Sequence, residues 1–148
     1  MLSTIEKVLL LQDVEILKSV STEHLGHVAA ITEEVEFQEG DIIFSEGESA
    51  SSMYVVVSGD IRLHRGKQDV MIAKPKEAFG VWALFEEKEE RMVTATCLSD
   101  AKLLCLEKED FHDLLADHSF MIRSVLGAMA KKLRGLVGRV SVPNRAKG

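Results

Sequence analysis

The 148-residue chain holds only two prolines, two cysteines, one tryptophan and one tyrosine. The two cysteines, Cys97 and Cys105, show no metal-ligand spacing and cannot build a disulfide framework, so they read as reduced core residues. No apolar run approaches the ~20 residues that a membrane-spanning helix needs. The opening stretch MLSTIEKVLLLQDVE carries Glu6 and Lys7 and lacks a basic start, so it does not read as a secretory signal. Together these absences point to a cytoplasmic protein, or to a cytosolic domain of a larger one. Catalytic constellations are missing as well. His64, His112 and His118 fall in different elements, and no Ser-His-Asp, Cys-His or metal set is framed by a motif, so no enzymatic activity is expected. Acid is absent after Asp117. The stretch up to that residue holds 24 acidic and 11 basic residues, a net −13, and the remainder holds seven basic residues and a net +7. That basic end either complements the chain's own acidic body or meets an anionic partner.

What is present is mostly short and punctuated. Hydrophobic residues make up 46% and charged residues 28%, an ordinary globular balance for one domain. Residues 1–32 read as N-terminal helices. Ser3 and Glu6 fit a capping box, residues 4–11 and about 14–20 carry apolar residues at helical spacing, and Ser21 caps a helix from Thr22 to Ile31. His24 and His27 lie one turn apart there. They could share a metal ion, but no third ligand is evident, and a surface pair is the plainer reading.

From Glu33 the apolar period becomes two. Val35 and Phe37 alternate with Glu34, Glu36 and Gln38, as in a half-buried strand. Short strands follow at 42–44, 53–57, 61–64, 70–73 and 101–106, separated by glycine turns. That pattern predicts an antiparallel β-roll over 33–107, a jelly-roll-like barrel or sandwich. Residues 108–117 then form a helix with Phe111, Leu114 and Leu115 inward. A last helix runs from about Ser119 to Val140, so 108–140 supplies two C-terminal helices, and 141–148 is expected to be disordered. Ile122, Leu126, Met129, Leu133, Leu136 and Val140 follow a heptad seam on the last helix. The seam packs on the chain's own roll or forms a helix interface, most simply with its copy in a homodimer or with an attached output domain. Gly127, Gly135 and Gly138 weaken that helix by about 1 kcal/mol each.

The stretch FGVWALFEEKEERMVTATC, from Phe79 to Cys97, stands apart. Glycine 80 permits a tight turn, the apolar residues after it allow about one helical turn, and Arg91 ends an acidic run. A glycine turn feeding a helix start can receive an anion, and an arginine can clamp one. Arg91 can equally be a salt-bridged surface residue.

Three segments together resemble the cyclic-nucleotide-binding domain family, of the catabolite activator type. EGDIIFSEGE is similar to the family's first glycine-turn segment and MYVVVSGDIRLHR to its central hairpin. FGVWALFEEKEERMVTATC is similar to its phosphate-binding cassette, here 79–94. The resemblance covers roughly residues 10–138. It implies a β-roll whose cassette holds the phosphate of cyclic AMP or cyclic GMP and whose C-terminal helices relay ligand state. Gly80 and Arg91 match the family's phosphate contacts, and Phe79, Ala83 and Leu84 match its apolar frame. The family's ribose-binding Glu is Val81 here, and the position after the arginine is Met92. The resemblance therefore implies a ligand site built from Gly80, Val81, Trp82, Ala83, Arg91 and Met92, with weak or lost cyclic nucleotide binding, or with a different anion bound. No helix-turn-helix pattern is found, so no direct DNA-binding element is expected, and no metal.

Overall fold

A computed structural model of the chain describes residues 1–86 and 90–139. Helix α1 (Thr4–Leu11) begins at a complete capping box. Ser3 Oγ accepts from the Glu6 N–H at 3.1 Å, and Glu6 Oε1 accepts from the Ser3 N–H at 3.0 Å. Helix α2 (Thr22–Ala30) begins at Ser21, whose hydroxyl accepts from the His24 N–H. Between them, the helix expected at about 14–20 is only a 3-10 turn, Glu15–Leu17. The reason is packing: Val14, Ile16, Leu17 and Val20 are all buried, and one tight turn places them inward without a longer helix.

Eight strands follow: β1 (Glu33–Phe37), β2 (Ile42–Phe44), β3 (Ser52–Ser58), β4 (Ile61–Arg65), β5 (Gln68–Ala73), β6 (Ala78–Phe79), β7 (Thr94–Cys97) and β8 (Ala101–Glu107). They form two antiparallel four-stranded sheets, ordered β1-β8-β3-β6 and β2-β7-β4-β5. The fold is thus mainly β with flanking helices, as expected. The sheets do not close into a barrel, however. β6 is two residues long and pairs only with β3, so it offers too few ladder groups to bridge to the second sheet.

The two middle strands of the first sheet, β3 and β8, are buried on both faces, which explains their nearly continuous apolar runs. Met53, Val55, Leu104 and Leu106 face a core shared with the helices, where Leu11, Leu17, Val28 and Phe111 are fully enclosed. Val56 and Leu103 face the other way, into a second core with Phe44, Ile61, Ala95 and Cys97 of the opposing sheet.

Helix α3 (Lys108–Asp117) follows β8 directly and buries Phe111, with Leu114 and Leu115 half-buried against the same core. Of the heptad seam on helix α4 (Phe120–Arg139), only Met129 among the described residues packs on the body. The helix buries Met121, Val125 and Ala128, and Met129 is half-buried beside them. Ile122, Leu126, Leu133 and Leu136 are exposed, and so is every residue from Ala130 to Arg139. A helix surface has room for two stripes, and here the body takes the one at 121, 125 and 128. Val140 and residues 141–148 lie outside the described residues. No helix among the described residues is long and apolar enough to cross a membrane.

Candidate functional site

The site grows from a junction of three segments. Strand β6 ends at Phe79, and Gly80 then takes a left-handed backbone, φ 74° and ψ 20°. That step starts a 3-10 turn, Val81–Leu84, the only helical turn among the described residues of 33–107. Across from it, Arg91 is fixed through its main chain to the glycine turn before β3. Its N–H donates to the Glu48 carbonyl at 2.7 Å, and its carbonyl accepts from the Gly47 N–H at 2.8 Å. The segment EGDIIFSEGE therefore has a structural duty: its second turn holds Arg91 in place.

Arg91 is 7% exposed, so it is not the salt-bridged surface residue that the acidic run allowed. Nη2 donates to the Ser52 carbonyl at 2.7 Å, and the guanidinium carbon lies 4.0 Å from the centroid of the Phe44 ring. Nε is buried and has no hydrogen-bond partner, and no described carboxylate forms an ion pair with the guanidinium. Burial pulls the Arg91 guanidinium down from its ordinary value, opposed by the charges of Tyr54, Cys105, Glu48 and Glu107. An arginine stays charged in such surroundings. A buried cation without a counter-ion is costly, and an anion arriving beside it recovers that cost.

The ring under the cation is itself braced. Phe44, Tyr54 and Phe79 form a cluster, with Tyr54 stacked on Phe79 at 5.4 Å between centroids and Phe44 at 5.9 Å from Phe79. Ser52 Oγ donates to the Tyr54 hydroxyl at 3.3 Å. Desolvation pushes the Tyr54 phenol up, partly offset by that bond. Desolvation also drives the Cys105 thiol up to about 11, so it is not a nucleophile at neutral pH.

Arg91 opens onto a cavity of ≈ 130 Å³, whose walls are Phe44, Ala50, Leu63, Gly80, Trp82, Ala83, Glu90, Met92 and Val93. Of the six expected ligand residues, Gly80, Trp82, Ala83, Arg91 and Met92 come together here. Val81 does not: its half-buried side chain packs on the helix-side core. The left-handed step at Gly80 starts the turn with Val81 on that side. Trp82 and Met92, 62% and 61% exposed, stand at the mouth. Sequence reasoning missed Phe44, Ser52 and Tyr54. The only signal for them was the aromatic and hydroxyl content of strands that otherwise read as core.

A buried cation, a left-handed glycine turn and a cavity thus meet inside a β-roll. A profile of the cyclic nucleotide-binding domain matches residues 34–118, from β1 to the end of α3. The chain belongs to the cyclic nucleotide-binding domain family. A cyclic AMP receptor protein of Thermus thermophilus is 32% identical over 103 residues, which are 66% of this chain and 47% of that protein. A CRP-like cAMP-activated global transcriptional regulator of Mycobacterium tuberculosis is 25% identical over 115 residues, 72% of this chain and 51% of that one. The chain thus spans about half the length of these relatives. Among solved structures, the N-terminal domain of a transcriptional regulator from Streptomyces coelicolor superposes with a TM-score of 0.82 at 27% identity. The match covers 90% of this chain and 99% of that one. Gly80 and Arg91 both fall within the matched residues 34–118.

Proposed function

We propose that the chain is a non-catalytic regulatory module that receives an anionic ligand at Arg91 and relays its presence through α3 and α4 to a partner helix or an attached output domain. The observation that carries this reading is the buried Arg91 guanidinium, unpaired among the described residues and open to a cavity. Family membership supports cyclic AMP or cyclic GMP as the ligand class. Two features support weak binding of either. Val81 stands at the family's ribose-binding position and faces the core, so no carboxylate is offered from there. The cavity is also smaller than the roughly 300–1,000 Å³ of a typical ligand pocket. A different, smaller anion is therefore the alternative ligand.

The relay reading rests on contacts between the cassette and α3. The His112 imidazole meets the Leu84 carbonyl through Nε2, Lys108 Nζ donates to the Glu86 carbonyl at 3.0 Å, and Phe85 meets Phe111 edge-on at 6.2 Å. A ligand that moves the 3-10 turn would load all three. The exposed seam of α4 favours a second reading, an interaction domain without ligand, in a cytoplasmic setting.

Titration of Trp82 emission with cyclic AMP, cyclic GMP and inorganic phosphate tests both. Saturable change in the native chain, absent in Arg91→Leu, is expected. Sub-micromolar affinity for either nucleotide overturns the weak-binding reading. No response to any of the three favours the interaction domain.

A further inference from the structure

Three histidines far apart in sequence meet at one corner of the molecule. His24 and His27 stand one turn apart on α2, with ring centroids 6.3 Å apart and ring planes 20° apart. His118 stacks on His27 at 4.4 Å and 22°. Phe120 completes the group, 4.3 Å from His24 and 5.9 Å from His118. His118 is also the joint between the two C-terminal helices. Its N–H donates to the Leu114 carbonyl at 2.9 Å and so ends α3, while its carbonyl accepts from the Met121 N–H at 2.9 Å and so starts α4.

Stacking decides what this group can bind. His27 and His118 are stacked ring on ring, while His24 turns Nδ1 to the Ser21 hydroxyl at 2.8 Å. No group of three metal-ligating side chains is found among the described residues. The ligand such a stack responds to is the proton. Neutral imidazoles stack on each other and on a phenyl ring without penalty. Two imidazolium charges at 4.4 Å repel, and each gains by separating and hydrating.

We propose that His24, His27 and His118 form a proton-binding elbow that loosens the α2–α4 corner in mild acid and so sets the position of α4. This inference rests on the corner alone and not on the ligand at Arg91. No described carboxylate is ion-paired with any of the three rings. Charged residues near the three rings along the chain are Glu23 on α2, Asp117 on α3 and Arg123 on α4; α1, which packs on α2, carries Glu6 and Lys7, and the 3-10 turn against which α4 packs carries the Glu15–Lys18 pair. That pair is closed on itself, and Glu23 and Asp117 adjoin His24 and His118 only along the chain. A proton on His24 Nδ1 meets the Ser21 hydroxyl, and one on His27 or His118 meets a neutral imidazole. A second proton meets a like charge, and the corner opens.

Amide hydrogen exchange of the intact chain, corrected for intrinsic rates, tests this. Protection over residues 116–124 should fall roughly tenfold from about pH 7.5 to about pH 5.5, while β3 and β8 stay protected. His118→Phe and His27→Phe should each keep the stack apolar and flatten that response. His27→Gln serves as a milder second variant. The other two histidines are engaged elsewhere: His64 meets the Gly66 carbonyl and the Thr96 hydroxyl, each at 2.8 Å, and His112 meets the Leu84 carbonyl. His64→Gln should therefore leave the corner's response intact. An acid response equal in native chain and cluster variants overturns the proposal, and so does a native corner that is insensitive to pH.

Discussion

Arg91 Nη1 stands where a side chain at Gly80 would begin: a Cβ built on Gly80 would lie 2.7 Å from that nitrogen and 3.3 Å from the Ser52 carbonyl. The glycine is needed twice over, for its left-handed backbone and for the room that it leaves to the guanidinium. The cassette's glycine and arginine are thus one structural unit, although ten residues lie between them in sequence.

Gly80→Ala should therefore displace Arg91 as well as strain the turn. The left-handed conformation costs an alanine about 1–2 kcal/mol. Urea unfolding should show a loss of that order, and the Trp82 response to anions should weaken in step. An unchanged response alongside the lost stability would show that Arg91 does not depend on Gly80 for its place.

Arg91→Leu should separate stability from binding. It removes a buried charge that has no counter-ion among the described residues and leaves an apolar side chain over Phe44. Removing a buried charge that has no counter-ion also removes its desolvation cost. A thermal midpoint equal to or above that of the native chain is expected, together with loss of any anion response. A midpoint many degrees lower would mean that the bond to the Ser52 carbonyl matters more than the cost of burial.

Val81→Glu tests the orientation of the cassette. The side chain rests on the helix-side core, so a carboxylate there should destabilise the fold by about 1–3 kcal/mol and leave cyclic AMP affinity unimproved. A tenfold gain in calorimetric affinity would show that position 81 reaches the ligand after all.

Cys105 gives a pH dependence. Its thiol ionises near 9.0 when free and at about 11 in the fold, so the folded state holds its proton more tightly than the unfolded chain. That contribution to stability is complete below pH 9.0 and is lost as pH rises toward about 11. Denaturation midpoints should fall across that window, and Cys105→Ala should flatten the fall. The thiol should also resist alkylation at neutral pH until the protein unfolds.

The parts of this fold that were legible in sequence are those in which one local rule dominates. Period-two alternation from Glu33, the capping box at Ser3 and the N-cap at Ser21 all lie where the spacing placed them, because each depends on neighbours within a few residues. The tight turn at Gly80 was legible from its glycine, and Arg91 stood out after the acidic run. What supports Arg91 was not legible, since Phe44 and Ser52 are brought to it only by the pairing of two sheets. The same holds for His118. It looked unrelated to His24 and His27 because α2 and α3 are joined through the whole roll. On α4 the heptad spacing was real, but it could not say which of two apolar stripes the body would cover.

That uncovered stripe carries the last prediction. Leu126 and Leu133 are 59% and 63% exposed, and Leu136 and Val137 are exposed beside them. Arg123, Lys131, Lys132, Arg134 and Arg139 share the helix, while the body up to Asp117 carries −13. Two copies of α4 in parallel would bring like charges together, so association should strengthen as salt screens them. Packing of α4 against the acidic body of a second copy should weaken with salt instead. Sedimentation at low and high salt separates these outcomes, and a monomer at both would show that the seam has no partner in a second copy. Leu133→Glu should abolish association without unfolding the chain, because the residue touches nothing that the fold buries. Truncation after Asp117 is the poorer test. It removes Met121 and Val125, both enclosed in the helix-side core. Losing two such side chains costs about 2–5 kcal/mol each. The truncated roll should therefore be markedly less stable, whatever its oligomeric state.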